Sequence, residues 1–152
     1  MSRSHIGKAH VARPHLSSAG REAILVAFSH SAASAAALVW ALEDSRRRGC
    51  GLTVLHVDDS AERADAPLTA WSPDSAHRFQ EKVSDLLASS DDDVSVRLVY
   101  VRGPLEDVLV EAARDCRTLV LGRAEGCRHQ GLEERLRSAL RCPVVVVAAQ
   151  PA

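Results

Sequence analysis

Aromatic residues, lysines and phosphate-binding glycine strings are all scarce in this chain of 152 residues. Phe28, Trp40, Trp71, Phe79 and Tyr100 are its only aromatics, so a site that stacks a base or a flavin between rings has little to draw on. Cys50, Cys116, Cys127 and Cys142 never approach C-x-x-C spacing, which excludes the common zinc and dithiol motifs. With no secretory signal to read, the four thiols are expected to be reduced, buried and cytoplasmic. No apolar run nears the ~20 residues of a membrane-spanning helix. Neither sign of charge dominates: 19 Lys+Arg stand against 20 Asp+Glu, for a formal net charge of -1. A global basic footprint for nucleic acid is therefore missing, and neither nucleic acid nor membrane is expected as a partner. Lys8 and Lys82 are the only lysines, and every other basic residue is arginine. Neither G-x-G-x-x-G nor G-x-x-x-x-G-K-S/T occurs, which excludes the dinucleotide fingerprint and the P-loop. A receiver domain would need carboxylates after its first strand and an Asp closing its third; Ser29, His30 and Tyr100, Val101 stand there instead.

What is present is a hydrophobic content of 46%, enough for one domain with a core of its own. Residues 1–20 mix Ser, His, basic residues and Pro14 without an apolar period, and read as a disordered arm before a domain over 21–152. His5, His10 and His15 recur at a spacing that shares no helical face, so no metal site is assigned. From Ala23 the pattern is regular. Ala23–Phe28, Leu52–Val57, Val94–Val101, Thr118–Leu121 and Val144–Ala149 read as strands, several of them continuous apolar runs of the kind buried on both faces of a parallel sheet. Between them, Ser31–Arg48, a segment opened by Pro73 and Asp74, Pro104–Asp115 and Leu132–Leu140 read as helices. The first has a serine cap, an Ala-rich body and Arg46, Arg47 and Arg48 before Gly49. Alternating strands and helices predict a doubly wound α/β domain with right-handed crossovers. Ligands of such sheets sit beyond the carboxyl ends of the strands, here after Phe28 and Leu121.

At the first of those ends, Ser29, Ser31 and Ser34 form an S-x-S-x-x-S string. It can either hold a phosphate at a helix N-terminus or cap the helix while small residues pack, and the scarcity of rings favours the cap. Ser29 or Ser31 as a hydrolase nucleophile is a weaker reading, because no G-x-S-x-G elbow occurs and a base would have to come from elsewhere in the fold.

Four segments together resemble the universal stress protein family over Ala23–Ala149: Ile24-Leu25-Val26-Ala27, Leu52-Thr53-Val54-Leu55-His56-Val57 after Arg47-Arg48-Gly49, Val101-Arg102-Gly103-Pro104, and Cys142-Pro143-Val144-Val145-Val146-Val147. The resemblance implies a Rossmann-like, HUP-type fold with five parallel strands in the order 3-2-1-4-5. It also implies an ATP site in many members, whose pieces can be checked. The family's first strand usually ends in an Asp that contacts the adenosine, followed by Gly-Ser; this chain has Ser29-His30-Ser31, and a neutral hydroxyl lacks the carboxylate's strong acceptor. Gly103 matches the family's glycine near the nucleotide. The family's phosphate loop reads G-x-x-G, a spacer, then G-S or G-T. Here Gly122 fits, but Glu125 stands where the second glycine belongs, Gly126 fits only with a shift, and Gln130-Gly131 occupies the last pair in a loop several residues too short. An acidic side chain there repels a triphosphate.

These residues lead to the expectation of a non-catalytic stress-response protein, cytoplasmic, without ATP bound in the family's usual manner and without a cofactor, acting through protein contacts. No catalytic residue is assigned. Arginines crowd the altered loop and the helix after it, from Arg117 through Arg123, Arg128, Arg135 and Arg137 to Arg141. An alternative is therefore weak nucleotide or anion binding by Ser29, Gly103, Gly122, Arg123, Gly126 and Arg128, with guanidinium groups replacing glycine amides. Surface pairing such as Glu133 with Arg137 is the plainer account of the same charges. The resemblance places the last strand at a sheet edge, where Val144, Val145, Val146 and Val147 form the expected homodimer interface.

Overall fold

The computed structural model describes residues 5–6, 10–11, 23–29, 31–58, 73–88, 94–123 and 131–149. Two dipeptide strands, β1 (His5–Ile6) and β2 (His10–Val11), precede a regular alternation: β3 (Ile24–Ala27), α1 (Ala32–Arg48), β4 (Leu52–Asp58), α2 (Pro73–Leu87), β5 (Ser95–Arg102), α3 (Leu105–Ala112), β6 (Thr118–Gly122), α4 (Leu132–Ala139) and β7 (Val144–Val147). The five principal strands run parallel in the order β5-β4-β3-β6-β7. Numbered among themselves, they give the expected order 3-2-1-4-5. Their alternation sorts the core into two layers. Ile24, Val26, Leu52, Val54, Val96, Leu98 and Val120 point to one face, where α1 and α2 cover them with Leu38, Leu42, Phe79 and Val83. Leu25, Leu55, Val99, Leu119 and Leu121 point to the other, under α3 and α4 with Leu109 and Leu136. A sheet buried on both sides has no polar face, which is why its strands read as unbroken apolar runs.

Local signals set the ends of α1. Ser31 is extended at the N-cap and its Oγ accepts from the Ser34 amide at 3.0 Å, while Gly49 takes the left-handed conformation (φ 65) and returns its N–H to the last turn. Arg46, Arg47 and Arg48 occupy that turn, favourable against the helix dipole. The last two also hold the buried Asp44, with Arg47 Nη2 at 2.9 Å and Arg48 Nε at 3.1 Å. The serine cap predicts a modest, separable effect: Ser31→Ala should cost ~1 kcal/mol. Urea unfolding checks this, and an unchanged midpoint would mean the cap carries no stability.

Two features differ from the sequence reading. Helix α3 stops at Ala112 rather than running to Asp115, because the chain tightens to three-residue spacing, with Arg114 N–H on the Glu111 carbonyl and Cys116 N–H on that of Ala113. Residues 1–20 were expected to form no regular element, yet His5–Ile6 pairs with Ser95 and Val96 of β5, and His10–Val11 with Val99 and Tyr100. The outer side of β5 supplies unpaired backbone groups, and two dipeptides take them without any periodicity of their own.

Candidate functional site

The carboxyl ends of β3, β4, β5 and β6 bring together Ser29, Asp58, Arg102–Gly103 and Gly122–Arg123. Ladder register fixes the arrangement. Ala27 lies opposite Leu55 and Leu121, and Asp58 opposite Arg102. By that register Phe28 sits beside Gly122 and Ser29 beside Arg123, while Gly103 is two strand spacings across from Ser29 and two residues further along, about 12 Å. Gly126 and Arg128 lie outside the described residues, as do the Glu125 that displaces the family glycine and most of the shortened loop.

The serines bond to one another. Ser29 Oγ lies 2.8 Å from Ser34 Oγ and 3.4 Å from Ser31 Oγ, and the Ser29 amide donates to Ser34 Oγ at 3.0 Å. With Ser31 also capping Ser34, the string serves the strand-to-helix turn. Of the two readings of S-x-S-x-x-S, the geometry matches the cap with small packing residues.

Gly122 has a packing reason of its own. A Cβ built there would come within 2.6 Å of the Ala33 carbonyl carbon and the Ser34 nitrogen. Helix α1 thus begins directly against the last residue of β6, an approach that only glycine permits. The next amide is also engaged, since Arg123 N–H donates to the Val147 carbonyl at 2.8 Å. The backbone that leaves β6 is continuing a ladder at the point where a phosphate cradle would begin. Arg123 itself is exposed. Among the other arginines, Arg135 of α4 pairs with Glu106 of α3, tying two helices together. Gly103 follows β5 with φ 156, and its amide donates to the Asp58 carbonyl at 3.0 Å. An added Cβ there would meet Val108 Cγ2 at 3.1 Å, so this glycine too has a conformational and packing role.

The sequence reading missed a cluster on the α1 and α2 face. Phe28, His56 and Tyr100 stand in one row, because His56 lies opposite Tyr100 and Phe28 follows the Ala27–Leu55 pair. Phe79 of α2 closes over them, with ring centroids 6.0 Å from Phe28, 5.4 Å from His56 and 6.4 Å from Tyr100. His56 Nδ1 is 2.7 Å from the Phe28 carbonyl, which that oxygen accepts from the protonated ring nitrogen. One step beyond, the buried Tyr100 hydroxyl donates to Asp58 Oδ2 at 2.9 Å. The signal was the shared even parity of 28, 56 and 100 at strand ends, which becomes meaningful only with the strand order known. Three of the five aromatic residues are thereby committed to a packed cluster under the crevice.

Among the described residues no helix is long and apolar enough to cross a membrane, and no group of three or more His, Cys, Asp or Glu could hold a metal ion. The universal stress protein family model matches residues 20–148. No curated protein matches. A universal stress family protein from Burkholderia pseudomallei is similar at 28% identity and TM-score 0.60, covering 83% of this chain and 95% of that one. A universal stress protein in complex with cAMP is similar at 15% identity and TM-score 0.63, covering 87% and 100%. An Arabidopsis thaliana universal stress family protein with AMP bound is similar at 18% identity and TM-score 0.52, covering 85% and 92%. The last two likenesses speak to the fold. With the family model spanning the whole strand-helix alternation, this chain belongs to the universal stress protein family.

Proposed function

We propose that this protein acts by contact with other proteins rather than by turnover, as a cytoplasmic homodimer paired along β7, and that it does not bind ATP in the usual manner of its family. One observation carries the nucleotide part of this reading: the groups that line the crevice are already committed within the chain. Ser29 replaces a carboxylate and bonds to Ser34, Gly122 is filled by the start of α1, and the Arg123 amide belongs to the ladder. Isothermal titration with ATP, AMP and inorganic phosphate at millimolar concentration is expected to give no heat. Nucleotide found by mass spectrometry in the purified protein would overturn the reading.

The dimer part is supported by the sheet order. β7 pairs with β6 alone among the described strands. The Leu119 and Arg123 amides donate to the carbonyls of Pro143 and Val147. By ladder alternation, odd-numbered residues of β7 turn their backbone groups to β6, and Val144 and Val146 turn theirs outward. Light scattering at tens of micromolar should report a dimer. Val146→Pro removes an outward N–H without touching the β6 ladder, and should leave a folded monomer. A monomeric parent protein would refute pairing at this edge.

The exposed Arg123, together with relatives that carry cAMP or AMP, favours a second reading in which a weak anion site uses Arg123 and, with it, Gly103, Gly126 and Arg128. If phosphate or AMP gives heat, Arg123→Ala tests whether that guanidinium is the contact. The serine hydrolase reading gains no support, because the Ser29 and Ser31 hydroxyls serve the turn and the helix cap.

A further inference from the structure

The cysteines were expected to be buried structural thiols, but the described ones differ in their surroundings: Cys116 is buried, while Cys50 and Cys142 are partly exposed. Cys116 and Cys142 are also neighbours. Their sulfurs are 3.6 Å apart, and Cys142 Sγ lies 3.8 Å from the Ala113 carbonyl. The fold puts them there. Cys116 precedes β6 and Cys142 precedes β7, and the two strands are locked in register by Leu119 opposite Val144 and by the Leu119 amide on the Pro143 carbonyl at 3.0 Å. Both cysteines lie just ahead of these strands, where the chain has left the ladder and the alternation of faces no longer separates them. Sulfurs already 3.6 Å apart are near the separation from which a disulfide closes. Closing the bond needs only a sulfur displacement of roughly 1.5 Å, which side-chain rotation supplies.

We infer that Cys116 and Cys142 form a reversible disulfide when the protein meets a peroxide, clamping edge strand β7 to β6 at the end of the sheet opposite the crevice. Cys142, the more accessible sulfur, attacks a peroxide oxygen. The O–O bond breaks, an alcohol or water leaves, and Cys142 carries a sulfenic acid. The Cys116 sulfur then displaces that hydroxyl, which departs as water with the thiol proton of Cys116. Two thiols have lost two electrons and two protons, and the peroxide has gained them. Order of reaction follows from burial: enclosure first, and then the adjacent Cys142, raise the Cys116 thiol well above its ordinary range, so Cys116 keeps its proton and serves as the resolving partner. The bond closes a ring across 26 positions that contains β6, the altered loop and α4. Thiols in a reducing compartment that pair only under oxidant are sensing or protective devices, and reduction by a dithiol reopens this one.

The test uses the full chain, reduced and then exposed to hydrogen peroxide. Trypsin cuts after Arg114, Arg117 and Arg141, so the bond should appear as peptide 115–117 joined to peptide 142–152, reversed by dithiothreitol. Cys50→Ser should keep the linked pair; Cys116→Ser and Cys142→Ser should each lose it. The oxidised protein should melt higher by several degrees, on the order of 5–10 °C, with slower hydrogen exchange along β7. Cys142 oxidised to sulfinic acid without the linked pair overturns the inference. So does a link from Cys142 to Cys50 or Cys127, or an equal melting temperature in the two states. Should a serine variant fail to fold, the peptide map and melting curves of the parent protein decide alone.

Discussion

Gly122→Ala is expected to lower stability by ~3 kcal/mol, near the top of the range for overpacked cores, and to depress the melting temperature by on the order of 10 °C. One methyl group has this effect because of what it meets. The atoms within 2.6 Å belong to the backbone of Ala33 and Ser34, which cannot rotate aside as a side chain would. Relief requires α1 to move off β6, and α1 is the helix that covers Ile24, Val26 and Val120. Gly51, whose added Cβ would meet its nearest atom, the Ser95 carbonyl oxygen, at an ordinary 3.5 Å, provides the control: Gly51→Ala should cost far less. Equal midpoints for the two variants in urea would show that Gly122 is not a packing residue, and would return it to the candidate phosphate contacts.

Phe79→Ala is expected to cost about 3–5 kcal/mol, as for other large aromatic truncations in cores. Phe79 is fully buried and meets Phe28, His56 and Tyr100, so its loss leaves a void under the ends of three strands. Tyr100→Phe keeps the ring and deletes only the hydroxyl that donates to Asp58, and should cost about 1 kcal/mol. A tyrosine change as damaging as the phenylalanine truncation would mean that the Tyr100–Asp58 bond, rather than ring packing, holds this end of the sheet. Denaturant slopes should stay equal among the variants, which keeps the comparison on one unfolded state.

The alternation of strands and helices was legible because burial on two faces writes itself as apolar runs such as Ile24–Ala27 and Val144–Val147, and because Ser31 and Gly49 punctuate α1 by local chemistry. Residues whose meaning depends on neighbours far along the chain were not legible. Gly122 reads as a phosphate-loop glycine, and only the position of α1 shows it to be a packing residue. Phe28, His56, Phe79 and Tyr100 come from four separate stretches of chain, and Cys116 and Cys142 meet only because β6 and β7, which follow them, are neighbours. The pairing of His5–Ile6 and His10–Val11 was hidden for another reason: those dipeptides owe their strand conformation to β5 and carry no pattern of their own.

That pairing makes the two sides of the sheet unequal. An open sheet with two bare flanks can recruit copies without end, each arrival exposing a new flank for the next. Here the amino-terminal segment pairs along β5, leaving the outer side of β7 with no described strand beside it. If subunits pair along β7 as proposed, one open flank gives each a valence of one, and growth stops at a pair. On that reading the two dipeptides paired to β5 act against fibre formation, and removing residues 1–20 should give an assembly prone to extend.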